Sequence, residues 1–294
     1  MIPPFKRVRL QDRGWVTDLL SKSQFMGCEY SFGSLFLWQD AYRFKIARYK
    51  DFLLVRSENE ESGYGYPAGQ GDVKELFNLL MNEAKQNKTP LRILGVTGRQ
   101  VKELYQLYGR SMDAQLVPES YDYIYNQADL AQLPGRKFHQ KRNHISHFLR
   151  QFPDWSYEEI TPRNTQDCYR VTQIWCEQNN CIASDGDVCV LQTALAHYQA
   201  LRFSGGLIRI NGQAAAFCMG EQLNDNTFVI HFEKALNEYN GLYAMINREF
   251  TMRALSEYQY INREEDLGLP GLRKAKLSYH PVMVLQKANI NIGV

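Results

Sequence analysis

The chain has 294 residues, a length that predicts two domains of roughly 150 residues each. Hydrophobic residues make up 44% of the chain and charged residues 22%, a globular composition that excludes extended disorder. Thirty-four Lys and Arg residues against 32 Asp and Glu residues leave a net charge of +2. This balance excludes a strongly basic, histone-like DNA-binding protein, so any anionic partner must bind at a local basic patch.

The termini and the cysteines predict a compartment. Residues 1–5 have neither the charged region nor the apolar region of a secretory signal, and no apolar run approaches the ~18 residues that cross a bilayer. Six cysteines, at positions 28, 168, 176, 181, 189 and 218, form no CxxC pair, which favours reduced thiols over a zinc site at positions 176, 181 and 189. We therefore expect a cytoplasmic protein with no metal and no transmembrane segment.

The first half predicts a strand at residues 5–9, a helix at 15–20 and a hairpin of strands 42–47 and 52–56. A helix at 72–86 and a strand at 91–96 follow. The glycine-rich loop at 64–71 could cradle a phosphate. However, Asp72 and Glu75 form a capping-box pattern at the helix start, which favours a structural loop.

The second half repeats this order after about 150 to 165 residues, which indicates a duplicated α/β unit. A strand at 155–160 precedes a helix through Val171, and Asn211-Gly212 joins strands 206–210 and 213–221, as in a type I′ hairpin. The remaining elements are a strand at 228–232, a helix at 242–255 and a strand at 260–262. We expect mixed, mostly antiparallel sheets flanked by helices, with domains at 1–130 and 131–294.

Residues 135–150 predict a basic amphipathic helix that links the two domains. Five Lys and Arg residues and three His residues occur there without an acid, and Phe138, Ile145, Phe148 and Leu149 share one face. The basic face suits phosphates of RNA, of a nucleotide cofactor or of an anionic head group. A solvated helix face is the alternative. The candidate phosphate ligands are Lys137, Lys141 and Arg142.

Two further segments carry candidate site residues. Asn240 and Gly241 open a helix that has no acid in its first turn, so an anion is tolerated there. Residues 260–281 place three acids shortly before three basic side chains. A carboxylate in this segment could act as a general base, and Arg273 or Lys276 could hold a phosphate or polarise a carbonyl. A structural ion-pair cluster is the alternative.

The runs PGRKFHQKRNHISHFLR, HFEKALNEYNGLYAMIN and YINREEDLGLPGLRKAKLSYHPV resemble the C-terminal domain of bacterial phosphatidylglycerol lysyltransferases. The resemblance covers about residues 5–287 and implies tandem GNAT (acyl-CoA N-acyltransferase) domains, an architecture shared with the Fem aminoacyltransferases, which use aminoacyl-tRNA. In a GNAT unit the strand 228–233 and the helix start at Asn240-Gly241 would contact the donor pyrophosphate. The loop 237–241 has a single glycine, which departs from the acetyltransferase loop and disfavours coenzyme A.

The resemblance implies an acyl- or aminoacyltransferase that takes an activated acyl group from aminoacyl-tRNA or acyl-CoA to an amine or hydroxyl acceptor. The acceptor would be a small molecule, a peptide or a lipid head group met at the membrane surface, and no permanently bound cofactor is expected. The candidate bases are Glu233, His231, Glu264 and Asp266, and Tyr279 is a candidate acid for the leaving group. Arg263, Arg273 and Lys276 would hold donor phosphates.

Two alternatives remain open at this point. One is a catalytically silent GNAT-fold module that binds tRNA or an anionic metabolite. The other is a structural repeat whose two clefts are filled by their own side chains. Binding of RNA without acyl transfer would favour the module, and an open polar pocket in the second half would disfavour the structural repeat.

Overall fold

The structure is a computed structural model that describes residues 2–59, 62–179 and 186–293. The chain forms two compact units. The first comprises Met1–Tyr123, Glu265–Lys274 and Val284–Val294, and the second comprises Ile124–Glu264 and Ala275–Met283. The predicted continuous domains, 1–130 and 131–294, are therefore corrected. The physical reason is the last strand, which pairs with two strands of the first unit.

The first sheet has the strand order β1-β2-β3-β5-β14-β6, with β4 paired to β2. Parallel pairing occurs between β3 and β5, which are joined through helix α3. The bounds are α1 (Arg13–Ser23), α2 (Phe32–Leu37), β1 (Phe44–Tyr49), β2 (Phe52–Ser57), β3 (Gly63–Gly65), β4 (Ala68–Gly69), α3 (Val73–Asn87), β5 (Leu91–Thr97), α4 (Gly98–Tyr108), β6 (Met112–Leu116) and β14 (Lys287–Ile292).

The second sheet has the order β13-β7-β12-β11-β10-β9-β8. Here β11 and β12 are the parallel pair, joined through α9, so both sheets contain a β-α-β unit among antiparallel strands. The bounds are β7 (Asp122–Asn126), α5 (Gln127–Gln132), α6 (His139–Gln151), β8 (Trp155–Glu159), α7 (Thr165–Gln178), α8 (Gly186–Ala196), β9 (Ser204–Ile210), β10 (Gln213–Gln222), β11 (Thr227–Ala235), α9 (Leu242–Ala254), β12 (Tyr260–Asn262), α10 (Pro270–Leu277) and β13 (Met283–Leu285).

Both predicted hairpins are confirmed. Strands β1 and β2 pair up to Tyr49 and Phe52, and Lys50 between them has φ of 52°. Strands β9 and β10 pair up to Ile210 and Gln213. Asn211 and Gly212 have φ of 50° and 77°, the positive values that a two-residue loop of this kind needs.

Three local predictions need qualification. The strand predicted at residues 5–9 is reduced to a single bridge between Lys6 and Ile46. Asp72 does cap α3 by accepting from the Glu75 amide, but the Glu75 side chain binds Lys50 instead of closing the capping box. In α6, Leu149 is 36% exposed and does not share the buried face of Phe138 and Phe148, because it lies at the edge of the apolar stripe.

Candidate functional site

The candidate site lies in the second unit, where β11 and β12 stop pairing. The two strands pair over Thr227–Val229 and Tyr260–Asn262. Beyond this point β11 continues to Ala235, while the chain leaves β12 at Asn262. Strand β10 has an irregular register beside β11. Beyond Val229, β11 pairs with β10, and the side chains of the site come from this part of β11 and from the chain that follows Asn262.

His231 is held between two carboxylates at this point. Its Nδ1 lies 2.7 Å from Glu264 Oε1, and its Nε2 lies 3.1 Å from Glu221 Oε1. Burial alone would lower the pKa of the imidazole, but the hydrogen bonds to both carboxylates outweigh it and raise the pKa to about 10. His231 is thus an imidazolium at neutral pH with both nitrogens donating. This geometry favours a positioning role over the predicted role of His231 as a base.

Glu233, two residues further along β11, forms the centre of the site. Its Oε1 accepts from Arg263 Nη2 at 2.9 Å, and its Oε2 accepts from Asn247 Nδ2 of α9 at 3.0 Å. Both members of the ion pair are largely buried, with 12% and 13% of their side chains exposed. Burial lowers the pKa of Arg263, but the charge of Glu233 outweighs it and raises the pKa above its usual range.

Two polar atoms beside this ion pair lack partners. Within the described residues, Arg263 Nη1 and Asn247 Oδ1 are both buried and make no hydrogen bond. Buried polar groups in native proteins are almost always satisfied, so an unpaired donor and an unpaired acceptor next to one carboxylate require an explanation. A ligand that brings both an acceptor and a donor would complete their hydrogen bonds.

Aromatic and basic side chains surround Arg263. The guanidinium carbon lies 4.7 Å from the ring centroid of Tyr279, and Lys141 Nζ of α6 lies 3.8 Å from the same centroid. Lys276 donates to the backbone carbonyl of Arg263, and the Tyr125 hydroxyl donates to the Lys276 carbonyl at 2.8 Å. The structure thus brings together with Glu233 four other predicted site residues, one from the basic helix and three from residues 260–281: Lys141, Arg263, Lys276 and Tyr279.

The three acids at positions 264–266 have different partners. Glu264 binds His231, whereas Asp266 is fully buried and accepts from Arg273 Nε and from the Tyr123 hydroxyl, each at 2.6 Å. The hydrogen bond from Arg273 and the Tyr123 hydroxyl lower the pKa of Asp266 to about 2, against the effect of burial. Asp266 and Arg273 belong to the first unit and bind each other, which matches the structural ion-pair alternative.

The basic helix is shorter than the predicted segment and partly occupied by its own chain. Arg136–Phe138 form a 3-10 turn before α6. Lys137 pairs with Asp129 at 3.1 Å, and Arg142 Nη1 donates to the carbonyls of Leu133 and Gly135. Of the three predicted phosphate ligands in this helix, Lys141 is the one that makes no hydrogen bond or ion pair within the described residues.

One face of α6 lines an open groove with a volume of about 460 Å³. The groove ends at Asn240, next to the start of α9, which has no side-chain cap. Its walls carry the Arg150 guanidinium and several side-chain donors, which suit an anion. The lining residues are Gln140, Asn143, His144, Ser146, His147, Arg150 and Asn240.

Gly241 is required where α9 begins. Its φ is +90°, and a Cβ at this position would lie 2.4 Å from the carbonyl oxygen of His144 in α6. We expect Gly241→Ala to reduce the free energy of unfolding by more than the about 1–3 kcal/mol that a non-glycine residue in this region of φ costs, because its Cβ would also clash with the His144 carbonyl oxygen. Gly212→Ala is the control, since Gly212 has φ of +77° but nothing within 4 Å. Urea unfolding should show the larger loss for Gly241→Ala, and equal losses would contradict a close helix contact.

Several buried polar residues have no signal in the sequence. Glu221 and Asn247 lie within a regular strand and a regular helix, where the sequence gives no sign that their side chains are buried.

In the first unit Cys28, Glu29 and Asp122 place one ligand atom each within 4.8 Å of one another, which could hold a metal ion. Lys287 Nζ lies within 2.8 Å of both carboxylates and supplies the cation there. Cys181 and the side chain of Cys189, considered for zinc, lie outside the described residues.

Comparisons with known proteins identify the relatives of the chain. The family described as "Phosphatidylglycerol lysyltransferase, C-terminal" matches residues 21–287. A conserved protein of unknown function from Bacteroides thetaiotaomicron is 39% identical, with 99% of this chain and 100% of that chain covered and a TM-score of 0.94. L-PGS from Bacillus licheniformis is 12% identical, with 96% and 91% covered and a TM-score of 0.66.

The fold is also that of a tandem GNAT protein. Such a protein from the clavulanic acid biosynthesis pathway covers 98% of this chain, with 97% of its own length matched, 10% identity and a TM-score of 0.50. In the part of the chain that the structure describes, no helix has the length and apolar character needed to traverse a bilayer. The match over residues 21–287 supports a transferase role. The chain belongs to the family of phosphatidylglycerol lysyltransferase C-terminal domains.

Proposed function

We propose that the chain is an aminoacyltransferase that moves an aminoacyl group from aminoacyl-tRNA to a hydroxyl acceptor, the glycerol head group of a phospholipid. The observation that carries the proposal is the buried Glu233–Arg263 ion pair, whose Arg263 Nη1 has no hydrogen-bond partner among the described residues. The family description, which names phosphatidylglycerol and a lysyl group, supports this choice of acceptor and of acyl group.

The chemistry follows from what Arg263 can stabilise. Attack of a hydroxyl on the ester carbonyl of the donor creates a tetrahedral intermediate with a negatively charged oxygen, and a fixed donor aimed at that oxygen lowers the barrier. Arg263 Nη1 is such a donor. Glu233 and the ring of Tyr279 fix the guanidinium plane, so little reorganisation is needed when the charge develops.

The groove along α6 supports tRNA as the donor. The Arg150 guanidinium and the amides of Gln140 and Asn143 lie on one helix, beside the start of α9, and could contact phosphates of an RNA strand. Coenzyme A is the alternative donor. The His144 carbonyl of α6 packs against Gly241, where a nucleotide pyrophosphate would need to reach the backbone amides of α9. This contact disfavours coenzyme A and so favours the RNA donor.

We expect Arg263→Lys to reduce the rate of transfer about 10²–10³-fold, the loss typical of removing one oxyanion donor. Glu233→Gln should also reduce the rate, because the guanidinium loses the carboxylate that fixes its plane. The assay measures radiolabelled lysine passing from lysyl-tRNA into phosphatidylglycerol vesicles, separated by thin-layer chromatography. Glu257→Gln, an exposed residue, is the matched control for loss of a carboxylate.

The donor and acceptor are tested in the same assay by exchanging acetyl-CoA for lysyl-tRNA and small amines for the vesicles. Transfer from acetyl-CoA alone would overturn the proposed donor. Binding of tRNA that weakens with salt, without any transfer by the wild-type chain, would instead support the catalytically silent module. Wild-type rates in both variants would show that Glu233 and Arg263 do not contribute to the transfer.

A further inference from the structure

Transfer to a hydroxyl requires a group that accepts its proton, and most candidates in the second unit are already engaged. His231 donates through both ring nitrogens and has no free lone pair. Glu264 receives one of those bonds, and each oxygen of Glu233 accepts a hydrogen bond, one of them from a guanidinium. A carboxylate paired with arginine is a weak base, so none of the three is well placed to take a proton.

Lys141 differs from these groups. It lies on α6, half-buried, with Nζ 3.8 Å from the centre of the Tyr279 ring. Within the described part of the chain it makes neither a hydrogen bond nor an ion pair. The same ring contacts Arg263, whose unpartnered Nη1 is the proposed oxyanion donor. An amine and an unsatisfied guanidinium nitrogen therefore border one aromatic ring.

We propose that Lys141 is the proton acceptor of the reaction, a role that rests on the proposed transfer. In its neutral form, Lys141 takes the proton of the acceptor hydroxyl as that oxygen forms a bond to the carbonyl carbon of the donor ester. When the intermediate collapses, the bond between that carbon and the ribose oxygen of the tRNA breaks. The ribose oxygen receives the proton from the Lys141 ammonium, so the proton balance closes without a further reactant.

The surroundings of Lys141 support this assignment. The charges of Arg263 and Glu233 influence its pKa, and its ammonium contacts the ring of Tyr279. Burial is the largest effect and the charge of Arg263 adds to it, while Glu233 opposes them, and together they lower the pKa of Lys141 to about 8. A general base with a pKa near the working pH combines a useful neutral fraction with proton affinity.

The first test compares Lys141→Met, Lys141→Arg and the control Lys85→Met, an exposed lysine of α3. We expect both Lys141 variants to lose about 10²–10⁴-fold in kcat, the usual contribution of a general base, with binding of lysyl-tRNA unchanged. Arginine keeps the positive charge on the ring but cannot give up its proton. A Lys141→Arg variant with half the wild-type rate or more would overturn the proposal, because the residue would then act only as a cation.

The pH profile supplies a second readout. In the wild type, kcat should rise with pH through about 8 and level off above it, and the Lys141 variants should lose this rise. Added ethylamine should restore part of the rate of Lys141→Ala, since a free amine can fill the vacated position. A rise that persists unchanged in Lys141→Met would assign the proton transfer to another group.

A third measurement does not depend on activity. Trace acetylation of the native chain with acetic anhydride between pH 6 and 11, read by mass spectrometry, should show half-maximal labelling of Lys141 near pH 8. Labelling centred near the ordinary lysine value of about 10.4 would overturn the proposal. If Lys141 titrates near pH 8 but the wild type transfers nothing to any acceptor, the proposed aminoacyl transfer is wrong. The observation that Lys141 has a lowered pKa would still hold.

Discussion

Replacement of Lys287 with methionine is expected to reduce the free energy of unfolding of the first unit by about 3–5 kcal/mol, the usual cost of leaving a buried charge without its partner. Lys287 Nζ lies 2.7 Å from Glu29 Oε2 and 2.8 Å from Asp122 Oδ1, and 3% of its side chain is exposed. Methionine preserves most of the side-chain volume, so the loss would come from the charge.

The surrounding charges explain the size of this effect. Glu265 is a third carboxylate, 3.8 Å from the ammonium, so one cation faces three acids. Burial would lower the pKa of Lys287, but Asp122 and the other anions outweigh it and raise the pKa well above its usual range. Without the lysine, Asp122 would remain fully buried and would lose the ammonium that lies 2.8 Å from its Oδ1.

Amide hydrogen exchange in β5 and β14, measured by mass spectrometry, reports the stability of this unit. Lys45→Met is the control, since Lys45 pairs with Glu58 at the surface and a pair of that kind contributes at most about 1 kcal/mol. Adding Asp122→Asn to Lys287→Met should recover part of the stability. Equal exchange in Lys287→Met and Lys45→Met would show that the ammonium is dispensable.

Much of the fold was predictable because its signals are local. The Asn211-Gly212 turn needs only two residues with positive φ, and the apolar spacing of α3 and α9 is visible within a few turns. The repeated order of elements corresponds to the two sheets that each contain a parallel pair. The domain boundary was not predictable in this way, since β14 pairs with β5, about 190 residues earlier in the chain, and with β6.

The candidate site was predictable in part, and the limit was again sequence separation. Glu233 was chosen from one segment, and Arg263 and Tyr279 from another, but no pattern shows that Arg263 pairs with Glu233 rather than with its neighbours. Glu221 and Asn247 were not identified from the sequence, because a polar residue in a strand or helix usually faces solvent. Asp266 and Arg273 were candidates for a base and a phosphate ligand, but they bind each other, as in the alternative of a structural ion-pair cluster.

The pH dependence of stability should report the charge of His231. Its pKa in the folded chain is about 10 against an unfolded value near 6.5, so the folded state binds the proton more tightly. The stabilisation is fully present below pH 6.5 and is lost as the pH rises toward 10. We expect the free energy of unfolding to fall by up to about 1.4 kcal/mol per pH unit across this window.

His231→Gln isolates this contribution from those of tyrosine and lysine residues that titrate at high pH. The difference in unfolding free energy between wild type and variant, from urea titrations at pH 6.5, 8 and 10, should shrink steadily as the pH rises. Imidazole nitrogen shifts in NMR should show both ring nitrogens protonated at pH 8, because Glu221 and Glu264 each accept one of these protons. A difference that is constant across the window would mean that His231 is neutral in the folded chain. His231 could then accept a proton, and the assignment of that step to Lys141 would lose one of its supports.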